Sequence, residues 1–449
     1  MASRGEAFPG PNGVARLRYL RRLLHEPHRT LDELCERFGP VVGLGVGPMR
    51  IAIVGDPALL RELFAMPTES FRWGHRYNVL GFVVGDGSML VSDGADHRRR
   101  RLPVQGAFAR RRLNAWIPMI VERTDAAIDG LCASLEQGSD RVVDLYPIGR
   151  ALVLDIVVRA LFGERLAARA EEIGELFQRP QAYLESPGLR QLPHPFPYTA
   201  RARVRADRRA LDAILDEEIA HRRGALGDGA DVLDALVRDD TLSDAEIRDQ
   251  IVTLVGAGYD TTAASLAWMI IRASHDADVW ASLRSEADEV LGVGAAPDHV
   301  SLARLVVADR VMRETLRLHP AGAISPRQVA VDISLGNRLM RKGTMLIWSA
   351  HLAGRDARTW GDPLCFRPER FADPTPEQKA IADQAWVPFG RGARNCIGFA
   401  LAQMELTLMI SRFAQRLDVS PTIDGIPHPK GMVVNRPVGG VPSRVAARR

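Results

Sequence analysis

One stretch restricts the fold of this chain more than any other. Ser243-Asp244-Ala245-Glu246 spells a capping box. After it, Ile247, Ile251, Leu254, Val255, Leu266, Met269 and Ile270 keep a helical period to about His275. At about 1.5 Å per residue this helix is roughly 45–50 Å long, enough to cross a whole domain. Its buried middle is interrupted by Ala257-Gly258-Tyr259-Asp260-Thr261-Thr262. A carboxylate buried beside a hydroxyl is costly unless each has a partner or a function. Either Thr261 bonds back to the helix carbonyls while Asp260 sits in a structural ion pair, or the two have a task beside a bound ligand. Gly258 favours the second reading, because a residue without a side chain there admits a flat ligand and a local helix distortion.

The second constraint is Phe389-Gly390-Arg391-Gly392-Ala393-Arg394-Asn395-Cys396-Ile397-Gly398. The apolar helical pattern of Phe399, Leu401, Met404, Leu406, Leu408, Met409 and Phe413 follows at once. Glycines around one sulfur let the backbone turn tightly and approach a flat ligand. Cys396 lies where the next helix begins, and there the helix dipole and free N–H groups stabilise a thiolate. Such a thiolate suits an axial ligand of heme iron. A lone cysteine is more often a small buried hydrophobe. Here Phe-x-x-Gly-x-Arg-x-Cys-x-Gly is too long and specific for that reading.

At these residues the chain resembles the cytochrome P-450 family of heme-thiolate monooxygenases, in its bacterial form. The resemblance runs from about Leu31 to Val434, with every motif in family order. It implies a mainly α fold with a small β region: one roughly triangular domain over residues 1–449, with heme b between the long helix and the cysteine loop. Cys396 is then the axial iron ligand. Phe389, Gly390 and Gly398 shape the loop around the cofactor, and Ala257 and Gly258 border it from the long helix. His97 and Arg101, at i and i+4 on a helix from Ala95, resemble the family's grip on the heme propionates. Arg327 and Arg394 resemble further propionate ligands, and charge-assisted bonds to buried carboxylates are what such groups supply.

The same resemblance makes Asp260 a proton shuttle and Thr261 the hydroxyl that holds dioxygen and its water. O–O cleavage needs protons, and an acid within one water delivers them. Glu314-Thr315-Leu316-Arg317 matches the family's Glu-x-x-Arg, and Phe366-Arg367-Pro368-Glu369-Arg370-Phe371 matches its meander. Arg370 should therefore close a triad with Glu314 and Arg317 that fixes the cysteine loop. These three are scaffold.

Length alone suggests two or three domains. Apolar content of 46% and charged content of 25% exclude a disordered or collagen-like chain. The positive balance is carried by arginine, since Lys342, Lys379 and Lys430 are the only lysines. Arg98 to Arg101 and Arg110 to Arg112 could meet nucleic acid but lack a recognised motif, so a solvated or heme-facing role is expected. Cys35, Cys132, Cys365 and Cys396 are scattered without a CxxC pair, which argues against a zinc site or disulfide framework. Met1 to Leu20 lacks the apolar core of a signal peptide, and no stretch reaches the roughly 20 apolar residues of a membrane span. A cytoplasmic monomer is expected.

Along the chain, Leu31 to Phe38 reads as a helix. Val41–Val46 and Ile51–Val54 read as a hairpin across Gly47-Pro48. Pro57 opens a short helix through Phe64. Ser70 to Val91 reads as a long loop with a possible helical turn, a candidate pocket wall. Trp116–Leu135 and Ile148–Phe162 read as core helices. Glu171 to Arg209 is broken by Pro180, Pro187, Pro193, Pro195 and Pro197 and resembles the family's mobile lid. Ala225 to Ala230 reads as a surface loop and Val306 to Leu318 as a helix. Strand-like runs at Gln328–Ile333, Arg338–Met340 and Thr344–Ser349 should join the hairpin in one sheet. The turns Ala321 to Pro326 and Gly431 to Val434 should face the pocket.

The reaction implied is insertion of one dioxygen atom into a small, apolar organic substrate of secondary metabolism, by hydroxylation or epoxidation. No flavin or iron–sulfur motif is present, so a ferredoxin and its NAD(P)H-dependent reductase should supply electrons, docking by charge complementarity on the basic face near Cys396. The alternatives are a heme-thiolate isomerase, dehydratase or peroxide-using enzyme, and a non-catalytic heme carrier or sensor. The intact Asp260–Thr261 pair favours oxygen-dependent chemistry. Polyketides, terpenoids, steroids, fatty acids and carrier-bound intermediates all fit the irregular wall segments.

Overall fold

In the computed structural model the capping box closes as the sequence predicts. The Ser243 hydroxyl accepts from the Glu246 N–H at 3.3 Å, and the Glu246 carboxylate accepts from the Ser243 N–H at 3.0 Å. The long helix then runs unbroken from Asp244 to Ser274. The structure describes residues 8–45, 49–74, 78–137, 142–186, 188–191, 198–225, 231–292 and 297–448. They gather into two compact units. One comprises Met1–Tyr77, Arg313–Cys396 and Pro429–Arg436, and the other Asn78–Met312, Ile397–His428 and Pro437–Arg449.

The first unit is built on a five-stranded sheet, in the order Val41–Gly43, Ile51–Val54, Met345–Ser349, Ile324–Val329, Phe71–Arg72. Val42 faces Ile53 in antiparallel register, Ile53 lies beside Ile347 in parallel register, and Arg327 faces Leu346 in antiparallel register. Val54, Leu60, Leu63, Phe71, Leu346 and Trp348 form an apolar core against this sheet. Two expectations are corrected here. Ile333–Leu335 and Arg338–Met340 pair only with each other, as a separate two-stranded ribbon. The segment read as a turn at Ala321 to Pro326 enters a strand at Ile324, which therefore includes Arg327.

The hairpin strand ends at Gly43 rather than Val46, and its turn at Gly47-Pro48 lies outside the described residues. A helix not anticipated from sequence, Gly13–His25, precedes the helix Pro27–Phe38. Arginines interleaved with its leucines hide its period.

In the second unit the long helix lies along Leu145–Phe162, which is buried on nearly every face, as an all-round apolar helix must be. The helix Phe399–Arg416 packs against Arg110–Gln137, Ala277–Val290 and the long helix. Val142–Asp144, Pro442–Ala447 and Leu417–Pro421 form a three-stranded sheet. Pro180 does not break its helix, which continues from Ala170 to Leu184; helix Ala200–Gly224 follows later. Pro187, Pro193, Pro195, Pro197 and the loop residues 226–230 lie outside the described residues.

The segment read as a long loop contains a short helix, Val79–Val84. Asp249 on the long helix accepts from the Gly87 N–H at 2.9 Å and from Arg208, which also donates to the Val83 carbonyl at 2.9 Å. Gly85 has φ +91°, and a Cβ there would lie 2.2 Å from the Asp249 carboxylate. Val83, Val84, Val91, Tyr183 and Val204 close an apolar cluster around the short helix.

Candidate active site

In the first unit the cysteine loop is a folded turn. The Cys396 N–H donates to the Phe389 carbonyl at 2.8 Å, and the Asn395 N–H to that of Gly392 at 3.1 Å. Gly390 and Gly392 have φ of +65° and +74°, which disfavour any side chain. A Cβ at Gly392 would also meet the Phe64 carbonyl oxygen at 2.9 Å. Cys396 itself is exposed and unbridged.

The clamp forms as expected. Arg317 and Glu314, both fully buried, make a two-pronged pair at 2.7 Å on each side, and Arg370 Nε adds a contact to Glu314 at 3.2 Å. Arg317 also donates to the carbonyls of Gly354, Pro363 and Cys365, and Arg370 to those of Trp360 and Asp362. Every charge is therefore met, the condition under which a buried ion pair is tolerated. An aromatic ladder that sequence reasoning missed leads from the clamp to the loop. Trp360, Phe371, Trp386 and Phe389 stand 6.1, 6.5 and 6.0 Å apart, ring to ring. Trp386 is held by its indole N–H on the Arg313 carbonyl at 3.0 Å.

A cavity of about 330 Å³ adjoins the loop, lined by Phe64, Phe71, Trp73, Arg327 and Arg394 among others. Arg327 is buried among rings, 5.6, 5.0 and 5.2 Å from those of Phe64, Phe71 and Trp73, and its Nε has no hydrogen-bond partner. Arg394 lies over Trp73 at 4.0 Å. Burial, then the charge of Arg394, push the Arg327 guanidinium down to about 10. A buried cation with an orphaned donor, facing a second cation, asks for an anionic ligand. A heme propionate meets that demand.

In the second unit, Asp260 is fully buried, with Oδ1 3.5 Å from Arg150 Nε. Arg150 donates to the Tyr259 hydroxyl at 3.0 Å and to Gln181 Oε1 at 3.1 Å, and Tyr259 donates to the same Gln181 oxygen at 2.7 Å. Burial pushes the Tyr259 phenol up to about 12, so it stays a neutral donor. Arg150 and Gln181 are remote in sequence and carried no motif. The Thr261 hydroxyl donates to the Ala257 carbonyl at 2.6 Å, while Ala257 is exposed on an otherwise buried stretch of helix. A Cβ at Gly258 would meet Val157 Cγ1 at 3.3 Å, so this glycine also serves close packing against Leu145–Phe162.

His97 is buried on helix Gly94–Ala107, and Arg101 follows one turn later. Their neighbours in the basic run do something else, since Arg99 and Arg100 both bind Glu246, which Arg99 above all holds down at about 2. Gly398 precedes Phe399, the first residue of its helix, and its carbonyl accepts the Ala402 N–H at 2.9 Å.

The described structure and sequence together define the class. The sequence profile described as Cytochrome P450 matches residues 9–441, and the chain belongs to the cytochrome P450 family. It is 33% identical over 396 residues to the putative cytochrome P450 139 of Mycobacterium tuberculosis, covering 84% of this chain and 87% of that one. It is 30% identical over 435 residues to the pentalenene oxygenase of Streptomyces avermitilis, covering 93% of each. A retinoic-acid-bound cyanobacterial CYP120A1 shares its fold, with a TM-score of 0.86 at 24% identity over 99% of this chain and 100% of that one. The protein is a monooxygenase of this family, mostly helical with small sheets, and its cofactor is heme b. No helix among the described residues is long and apolar enough to cross a membrane.

Proposed function

We propose that the chain is one P450 domain that hydroxylates or epoxidises a small apolar substrate, with Cys396 as its axial thiolate. The observation that carries this reading is the exposed Cys396 in a glycine turn, to which the aromatic ladder ending at Phe389 leads from beside the Glu314–Arg317–Arg370 clamp. Thiolate-bound heme b supplies reductive activation of dioxygen, one atom going to substrate and the other to water. Arg327 and Arg394, with His97 and Arg101, would hold the propionates; Phe389, Gly390 and Gly398 would shape the loop for the cofactor, and Ala257 and Gly258 would border it. Asp260 is the proton shuttle, with Arg150 beside it and Tyr259 and Gln181 holding Arg150 in place. The Thr261 oxygen accepts from the water that carries the proton onward. The likeness to pentalenene oxygenase supports a hydrocarbon-like substrate of secondary metabolism.

Electrons come from a ferredoxin and an NAD(P)H-dependent reductase in the cytoplasm. Arg391, exposed in the cysteine loop, supports docking of an acidic donor there by a monomeric enzyme. The test is an absorbance titration of the ferric protein with terpenoid, polyketide-like, steroid and fatty-acyl compounds, free and carrier-bound. A low-spin to high-spin shift with one class is expected. The variant Cys396→Ala should lose the thiolate signature of the reduced carbonyl complex, and an unchanged spectrum in it refutes the assignment.

A further inference from the structure

The helix Gly13–His25 has two unlike faces. Its inner face is fastened: Tyr19 is 6% exposed and accepts from Arg37 at 3.0 Å, and Leu20 and Leu23 pack on the core of Leu31, Leu34 and Ile53. Arg16 donates to the Gly45 carbonyl at 2.7 Å, which seats the helix beside the hairpin end. The outer face is different. Val14, Leu17 and Leu24 are 77%, 58% and 50% exposed, and Arg18 and Arg21 stand among them in exposed positions. At 100° per residue all five fall on one side of the helix.

The charges on that face are uncompensated. The helix contains no acidic residue. Arg22 is taken up by Glu33, and the nearest exposed acid, Glu26, lies against Arg22 and Arg29. Among the described residues no carboxylate pairs with Arg18 or Arg21. Met49, 54% exposed, and the exposed Arg50 repeat the combination at the hairpin that Arg16 touches.

We infer that this outer face docks the enzyme on an anionic lipid bilayer. Aliphatic side chains interleaved with arginines along one exposed helix face fit a plane that is apolar below and negative above. The aliphatic groups sink among the acyl chains, and the arginine stems lie along them with their guanidiniums at the phosphates. Polybasic segments gain from an anionic surface through such contacts, and the gain fades with salt. The helix lies on the membrane and does not span it. This places the protein where apolar substrates collect, without altering the reaction.

The test is co-sedimentation of the full-length protein with vesicles of phosphatidylglycerol and phosphatidylcholine in equal parts, at low salt. Binding is expected, with release at high salt and little retention on phosphatidylcholine alone. The double variant Leu17→Glu/Leu24→Glu should bind at least about tenfold less, since it removes the inserted groups and repels the surface. Arg18→Gln/Arg21→Gln, which keeps the apolar groups, should lose the salt-sensitive part and carries the test should the first variant not fold. Failure of the parent protein to bind, or unchanged binding by both variants, overturns the inference. So does self-association of the parent in sedimentation velocity that Leu17→Glu/Leu24→Glu abolishes, because the face would then be a contact between copies.

Discussion

Thr261 commits its proton to the Ala257 carbonyl at 2.6 Å, so its oxygen can only accept from whatever lies on the open side of the helix. Back-bonding and a role in proton delivery are thus compatible, as are the Asp260–Arg150 contact at 3.5 Å and a shuttle role for Asp260. Both readings offered by the sequence describe the same atoms. Thr261→Ala should keep consuming reductant while product per electron falls at least about tenfold and hydrogen peroxide appears. Parallel assays of NAD(P)H, product and peroxide check this, and coupled turnover in the variant would remove Thr261 from the mechanism. Asp260 and Thr261 stand out in the sequence because each is a polar residue in an apolar helix, whereas Arg327 is singled out only by the family resemblance. Arg150 was not, because it meets Tyr259 across 109 positions of sequence.

At the scale of elements, the clamp does what a surface ion pair cannot. Glu314 and Arg317 share one helix, yet Arg317 reaches three carbonyls of the segment from Gly354 to Cys365, and Glu314 accepts the Arg367 N–H at 2.9 Å. The helix and the meander are thereby tied into one packed unit, and the aromatic ladder runs from it to Phe389. Glu314→Ala leaves Arg317 buried and unpaired, which should lower stability by about 3–5 kcal/mol. Urea unfolding measures the loss, and heme retention should fall with it. A loss within experimental error would mean that the carbonyls alone hold Arg317. The motif spacing announced the triad, but the ladder needed the fold, since Trp360 and Trp386 belong to no repeat.

For the whole molecule, buried titratable groups set a pH window. His28 is pushed down to about 2 by burial, then by His351 and Arg355. Burial and Arg355 also lower His351, which Asp32 and Arg355 hold in one neutral tautomer at 2.9 Å on each side. Both stay neutral in the fold, so their stability is complete above the ordinary histidine value and is lost on acidification. His28 contributes about 1.4 kcal/mol per pH unit below about 6.5, and His351 acts in the same direction. Glu405 has the opposite sign. Burial raises it to about 8, and its Oε1 lacks a partner, so its stability is complete below about 4.5 and is lost as pH rises toward 8. Thermal midpoints should therefore peak near pH 6.5. His28→Leu should flatten the acid limb and Glu405→Gln the alkaline limb; a monotonic profile would show that these groups relax into water.

By itself the sequence determined the long helix, the glycine turn around Cys396 and the family, because each is written in local spacing: a capping box, glycines around a cysteine, motifs in order. The clamp pair, one turn apart, was marked by the resemblance and closed by the fold. The helix read at Ile148–Phe162, observed as Leu145–Phe162, was equally plain, since an apolar run of that length is too long for a strand. Tertiary structure decided what depends on distant partners. It separated the ribbon Ile333–Met340 from the main sheet and made a helix of Val79–Val84 through Asp249 and Arg208. It brought Arg150 to Asp260, and it turned Arg18 and Arg21 outward while burying Tyr19. The reason is physical: a spacing fixes which residues share a face, but only the packed chain fixes what that face meets.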